Sequence, residues 1–134
     1  MNAQRKIALN PPGVAKPIRG YYSNSVRVAA GPLLFIAGQV ALDAEGRVVG
    51  KGDVRAQTVQ VLENMRAILG AHGADMSDVV SVTVYVTDIR VLDRIADIRM
   101  KYFPADGPAS AIVEIAKLAL PELLIEISAV AAVP

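Results

Sequence analysis

Apolar and polar positions change period along this chain, and each change marks an element. Val80, Val82, Val84 and Val86 alternate with Ser81, Thr83 and Tyr85, the period of two expected of a half-buried strand. Ahead of that run, Val54, Thr58, Val61, Leu62, Met65, Ile68 and Leu69 recur at helical spacing. Asp53 suits an N-cap and Gly73 a terminator, which together predict a helix over 53–71. Val91, Ile95, Ile98 and Tyr102 form a second stripe with Pro104 as its stop, predicting a helix over 91–103. Extended segments are expected at 6–9, 26–29, 33–38, 111–116 and 123–131. Gly31-Pro32 reads as a hairpin turn between the second and third of these. Asp43-Ala44-Glu45-Gly46 is a further turn before a short extended piece at 47–49, and Pro11, Pro12, Gly13 and Pro17 make the early chain loop-like.

The resulting order is two or three strands, helix, strand, helix, two strands. It predicts an α+β fold, one domain over 1–134, with an open sheet and both helices on one face. The other face would then carry Thr83, Tyr85, Glu114, Glu126 and Ser128 among apolar neighbours. Two helices cannot cover both sides, so the second face is expected to be buried between subunits, its polar groups gathered at clefts where subunits meet.

Glu126 stands out on that face. It interrupts Leu123-Leu124-Ile125-Glu126-Ile127-Ser128-Ala129-Val130, and Glu114 does the same to Ala111-Ile112-Val113-Glu114-Ile115. An ionised acid on a hydrophobic strand needs a partner, a water or a substrate to hold. Acids on the wet face of an edge strand are the ordinary alternative.

Composition narrows the classes of function. The chain has 134 residues, 53% of them apolar, 14 Lys and Arg against 13 Asp and Glu, and no cysteine. Near-balanced charge without a basic, aromatic-rich stripe argues against nucleic acid as a partner. No apolar run is long enough to span a membrane. Lack of cysteine excludes disulfides, thiolate nucleophiles and zinc–sulfur sites, and makes a cytoplasmic setting the expectation. Met1-Asn2-Ala3-Gln4-Arg5-Lys6 leads into no hydrophobic signal core, so secretion is not expected.

Other candidate motifs do not hold up. Gly46-Arg47-Val48-Val49-Gly50-Lys51-Gly52 is one residue short of a phosphate loop, and Gly52 stands where the magnesium-binding Ser or Thr belongs. His72, the single histidine, falls at the end of a predicted helix, where it serves as a surface cap. With one histidine, a metal site would rest on carboxylates, and none cluster in the sequence. Arg19, beside Gly20-Tyr21-Tyr22, lies in a loop suited to a pocket wall. Arg99 adjoins the second apolar stripe and either reaches an interface or lays its stem over the core.

Six segments in order, spread over nearly the whole chain, resemble the RidA (YjgF/YER/UK-type) family of enamine and imine deaminases. They are Gly20-Tyr21-Tyr22-Ser23-Asn24-Ser25-Val26, Phe35-Ile36-Ala37-Gly38-Gln39-Val40, Ala56-Gln57-Thr58 with Leu62-Glu63-Asn64, Asp78 through Asp88, Pro108-Ala109 followed by Val113-Glu114-Ile115, and Ile125-Glu126-Ile127. The resemblance implies a chorismate-mutase-like domain, a homotrimer with a central β-barrel, and three ligand sites at subunit clefts. It implies hydrolysis of a small-molecule enamine or imine to a carbonyl compound and ammonia, with no cofactor and no metal. By position, Glu126 matches the acid that holds the attacking water, Tyr22 a pocket-lining tyrosine, and Gly38 a glycine whose backbone faces the ligand.

One matched position departs. Deaminating members carry, after Pro-Ala, an arginine that grips the substrate carboxylate, and here that residue is Ser110. Ile112 and Ala96 depart from the family's usual cysteine and asparagine. Three consequences stand open: Arg19 or Arg99 supplies a replacement clamp for a different acid, such as an aminomuconate-like product; Ser110 bonds a less charged imine; or the protein is a non-catalytic metabolite-binding or regulatory trimer. The ribonuclease activity ascribed to some relatives finds no basic footprint here.

Overall fold

A computed structural model describes residues 5–134; the leader reading rests partly on residues 1–4, which lie outside the described residues. Strands β1 (Lys6–Leu9), β2 (Ser25–Val28) and β3 (Leu33–Val40) precede helix α1 (Val54–Ala71). Strand β4 (Val79–Val86), helix α2 (Leu92–Tyr102), and strands β5 (Ala109–Glu114) and β6 (Ile125–Ala132) follow. The main sheet has the order β3-β6-β4-β5, with β4 and β5 parallel and the other pairs antiparallel. Parallel neighbours need a crossover, and α2 provides it. The architecture is the α+β one read from the sequence, with both helices on one face.

The expected hairpin between β2 and β3 does not form. β2 pairs with β1 in a separate two-stranded ribbon, and β3 pairs with β6. The reason lies in the link. Gly31 takes a φ of 98°, Ala29 N–H turns back to the Arg5 carbonyl, and Val133 N–H bonds the Pro32 carbonyl. The chain therefore swings away from β2 and enters the main sheet along the C-terminal strand. The piece expected at 47–49 is reduced to a single bridge between Leu42 and Val48.

Both helices begin and end where local chemistry directs. The Asp53 carboxylate accepts the Ala56 N–H at 3.0 Å, His72 is the C-cap of α1, and Gly73 follows with φ 69°. Asp88 accepts the Arg90 N–H and opens a 3₁₀ turn, Ile89–Val91, that leads into α2. Beneath the helices, Leu62, Met65 and Leu69 meet Val82, Val84, Ile125 and Ile127, all buried. Each such aliphatic side chain contributes about 1.5–3 kcal/mol on burial. Asp78 is buried against Arg5 at 2.5 Å and completes a capping box with Asp75.

Register decides which residues share the uncovered face. Thr83 lies opposite Ser128, Tyr85 opposite Glu126 and Val113, and Phe35 opposite Val130. Glu114 does not belong with them. It pairs with the buried Val86, which puts it on the helix side, where its Oε1 accepts the Ile89 N–H at 3.0 Å. A strand beginning at Ala109 rather than 111 does not alter this parity; the parallel pairing with β4 sets it.

Candidate functional site

Two groups of candidate residues form, one on each face of the sheet. The first joins Glu126 to Gly38. The β3–β6 register shifts between Ile36 and Gln39, so Ala37 and Gly38 sit in a bulge beside the Glu126 strand. A Cβ placed on Gly38 would fall 2.7 Å from Glu126 Cδ, so the carboxylate lies directly on bare backbone. Only glycine permits that approach. Glu126 is half-buried, and among the described residues no donor reaches its carboxylate. Tyr85 lies opposite it with the exposed Val113 one strand beyond, and farther along the same face Phe35, 74% exposed, and Leu33 lie opposite Val130 and Ala132.

Two side-chain amides, the buried Gln57 and the half-buried Asn64, hold both strands of this group in place. Gln57, wholly buried in α1, donates to the Gly50 and Glu122 carbonyls and accepts the Leu124 N–H at 2.8 Å, two residues before Glu126. Asn64 donates to the Val40 and Leu42 carbonyls at the end of β3. Gln57 and Asn64 stand beside the stripe predicted for that helix rather than in it, and their partners were not visible in the sequence.

The second group lies under α2, at the β5 edge. Arg99 is 3% exposed, and its Nη2 donates to Ser110 Oγ at 2.8 Å. Its guanidinium carbon stands 4.1 Å from the centre of the Tyr21 ring, a cation–π distance. Burial pulls the Arg99 pKa below the ordinary arginine value, and Tyr21 offsets part of that. Tyr22 packs at 5.9 Å from Tyr21, and its hydroxyl accepts the Ile18 N–H at 3.0 Å. The tyrosines are pressed into place by Gly107, where any Cβ would strike the Tyr21 backbone, and by the bridge from Ser23 to Ala109. Arg19 sits at the rim, paired with Asp93 on α2. A cavity of about 360 Å³ opens here, walled by Ile18, Arg19, Tyr22, Leu92, Arg99 and Ile112, with Tyr21 and Ser110 at its lining.

Thus Tyr22, Arg19, Arg99 and Ser110 come together, and Glu126 with Gly38 form a separate pair. Ser110 pairs with Val82, on the helix side, whereas Glu126 pairs with Tyr85 on the other side, and β4 runs between their strands. One copy of the chain cannot bring the two groups to one ligand. Tyr21 was missed as a site residue because a buried tyrosine reads as core until its ring is seen beneath a cation. Among the described residues no three His, Asp or Glu side chains gather as a metal site would require, and no helix is long and apolar enough to cross a membrane.

These features define a small α+β domain with an acid on an uncovered sheet face and a cationic cavity at the neighbouring edge. The family described as endoribonuclease L-PSP matches residues 14–133. A RutC family protein, PH0854, of Pyrococcus horikoshii is 43% identical over 116 residues, 87% of this chain and 89% of that one. The Rid family protein YyfB of Yersinia pestis superposes with a TM-score of 0.90 at 37% identity, covering 96% of this chain and 99% of that one. Rv2704 of Mycobacterium tuberculosis, of the YjgF/YER057c/UK114 family, gives 0.67 at 35% identity, covering 84% and 86%. The chain belongs to the Rid (RutC, YjgF, L-PSP) family.

Proposed function

We propose that the chain is a cofactor-independent hydrolase that converts a reactive enamine or imine to a carbonyl compound and ammonia. It acts as a homotrimer in which the uncovered sheet face of one copy meets the β5 edge of the next. The observation that carries the reading is Glu126 seated on Gly38, without a hydrogen-bond donor of its own among the described residues. A carboxylate so placed is free to orient water and take its proton.

An enamine first becomes the imine by protonation at carbon. Water then adds to the C=N carbon while Glu126 accepts a proton and returns it to nitrogen, giving a carbinolamine. Collapse of that intermediate forms the C=O bond and expels ammonia. In this scheme the Gly38 backbone offers hydrogen bonds, Tyr22 walls the cleft, and Arg19, Arg99 and Ser110 form the substrate-binding side. Ser110 in place of the arginine expected there supports a specificity different from that of 2-aminoacrylate deaminases. A cytoplasmic setting accords with a chain lacking cysteine. The expected result is ammonia release from one or more of a panel of amino-acid-derived imines and 2-aminomuconate, abolished in Glu126→Gln. Equal rates in wild type and variant would remove Glu126 from the mechanism, and binding without turnover across the panel would favour a regulatory trimer.

A further inference from the structure

The arginines of this chain differ in what neutralises them. Arg5 has Asp78, Arg19 has Asp93, Arg55 has Asp97, and Arg90 has Asp88. Arg99 is far more buried than Arg19, Arg55 or Arg90, yet among the described residues no carboxylate pairs with it. A guanidinium has five N–H donors and stays protonated in proteins. Here Nη2 donates to the neutral Ser110 hydroxyl, and Tyr21 supports the guanidinium as its other neighbour, with the ring beneath one face. No buried side-chain nitrogen among the described residues lacks a partner, so the remaining guanidinium N–H groups open into the cavity. The wall Arg99 forms belongs to the 360 Å³ cavity rather than to the sealed core.

From this geometry we infer that Arg99 is the anion anchor of the cavity, and that the ligand it takes is a single carboxylate carried on an apolar body. The inference rests on the hydrolase reading only for the imine end of the ligand; the carboxylate end stands on the Arg99 environment alone. Ser110 and Tyr21 are positioning residues. The hydroxyl fixes one edge of the guanidinium fork and the ring fixes its plane, which leaves the remaining edge for a carboxylate to accept two parallel N–H bonds.

The rest of the cavity sets selectivity. Ile18, Leu92 and Ile112 offer nothing to a second charge. Arg19 is the other cation at the rim, and it is already held by Asp93. A dicarboxylate would therefore leave one charge unpaired against isoleucine and leucine. A branched or aromatic monocarboxylate fills the same space by apolar contact. Of the substrates in the proposed panel, those derived from apolar amino acids are favoured over aminomuconate-type diacids.

The test is calorimetric titration of the intact assembled protein with 4-methyl-2-oxopentanoate, 2-oxopentanedioate and the uncharged 4-methylpentanamide. Wild type is expected to bind the monocarboxylate at least about tenfold more tightly than either of the others. Arg99→Met should weaken that binding about a hundredfold or more, since truncating one partner of a buried charge pair removes its main attraction. Arg99→Lys, which keeps charge and loses the fork, should recover only part of it. Ser110→Ala should cost a few-fold, about what one misaligned hydrogen bond is worth. Glu126→Gln should bind within about threefold of wild type while releasing no ammonia, which separates this inference from the hydrolase reading. Equal affinity for the dicarboxylate, no binding of the monocarboxylate by wild type, or unchanged affinity in both Arg99 variants would each overturn it. Should Arg99→Met fail to fold by circular dichroism, Arg99→Lys and the wild-type selectivity still decide the matter.

Discussion

The two faces of the main sheet are finished to different degrees. On the helix side, Arg99 is enclosed, its orientation set by Ser110 and Tyr21, and its cavity walled by residues of α2, β5 and the loop before β2. On the opposite side, Glu126 lies on the bare Gly38 backbone, and Phe35, farther along the same face opposite Val130, stands largely in solvent. On the proposed reading the first is a binding surface completed within one chain, and the second is half of one. The contrast then teaches that binding and chemistry are built separately: one fold presets the cation, and association is left to supply the acid with its surroundings.

That comparison can be broken most severely at Phe35. Phe35→Glu places a charge where the proposed interface is apolar, and burying an unpaired carboxylate costs several kcal/mol, on the order of a thousandfold in association. Sedimentation should show a folded single chain, and ammonia release should vanish. A trimer with full turnover would end the idea of a shared cleft. Next is Glu126→Gln, which should lower kcat by roughly 10²–10⁴, the span of general acid–base catalysis, with the melting temperature little changed.

Gly38→Ala sharpens the contrast further. The new methyl pushes the carboxylate off the backbone, and a displacement near 1 Å costs about 10- to 100-fold in rate. Carboxylate binding at Arg99 should hold, because Ser110 and Tyr21 of the same chain set that guanidinium. The smallest effect concerns the clasp between the helices that roof the Arg99 side. Hydrogen bonds from Arg55 hold the Asp97 carboxyl below its ordinary value, at about 2. A depressed folded-state pKa means that this contribution is complete above about pH 4 and is lost as pH falls toward 2. Both side chains are exposed, so the effect is slight. Urea midpoints between pH 5 and pH 2 should fall a little less steeply in Asp97→Asn than in wild type; identical slopes would show that the pair adds nothing.

Much of this was legible along the chain. The valine alternation of β4, the stripes of α1 and α2, the Asp53 cap and the Gly73 stop are local patterns whose physics acts within a few residues. Glu126 was visible for the same reason, as a charge in a run that should hold none. Glu114 looked identical and was not equivalent. Its side depends on pairing with Val86 in a parallel neighbour, which no period within β5 records. The β2–β3 link misled in a similar way: Gly31-Pro32 marks a turn, but the turn's direction follows from a left-handed glycine and from β6, a hundred residues on.

The amino-acid sequence by itself determined the elements, their order and the residue types available for chemistry, because hydrophobic period, caps and turns are short-range properties. Tertiary structure alone decided which of those residues meet. Register assigned Glu126 and Ser110 to opposite faces, the Gly38 bulge brought backbone under the acid, and α2 delivered Arg99 onto Ser110 from eleven residues away in the chain. Such contacts are set by how sheets and helices stack, and stacking is a property of the whole fold rather than of any stretch of it.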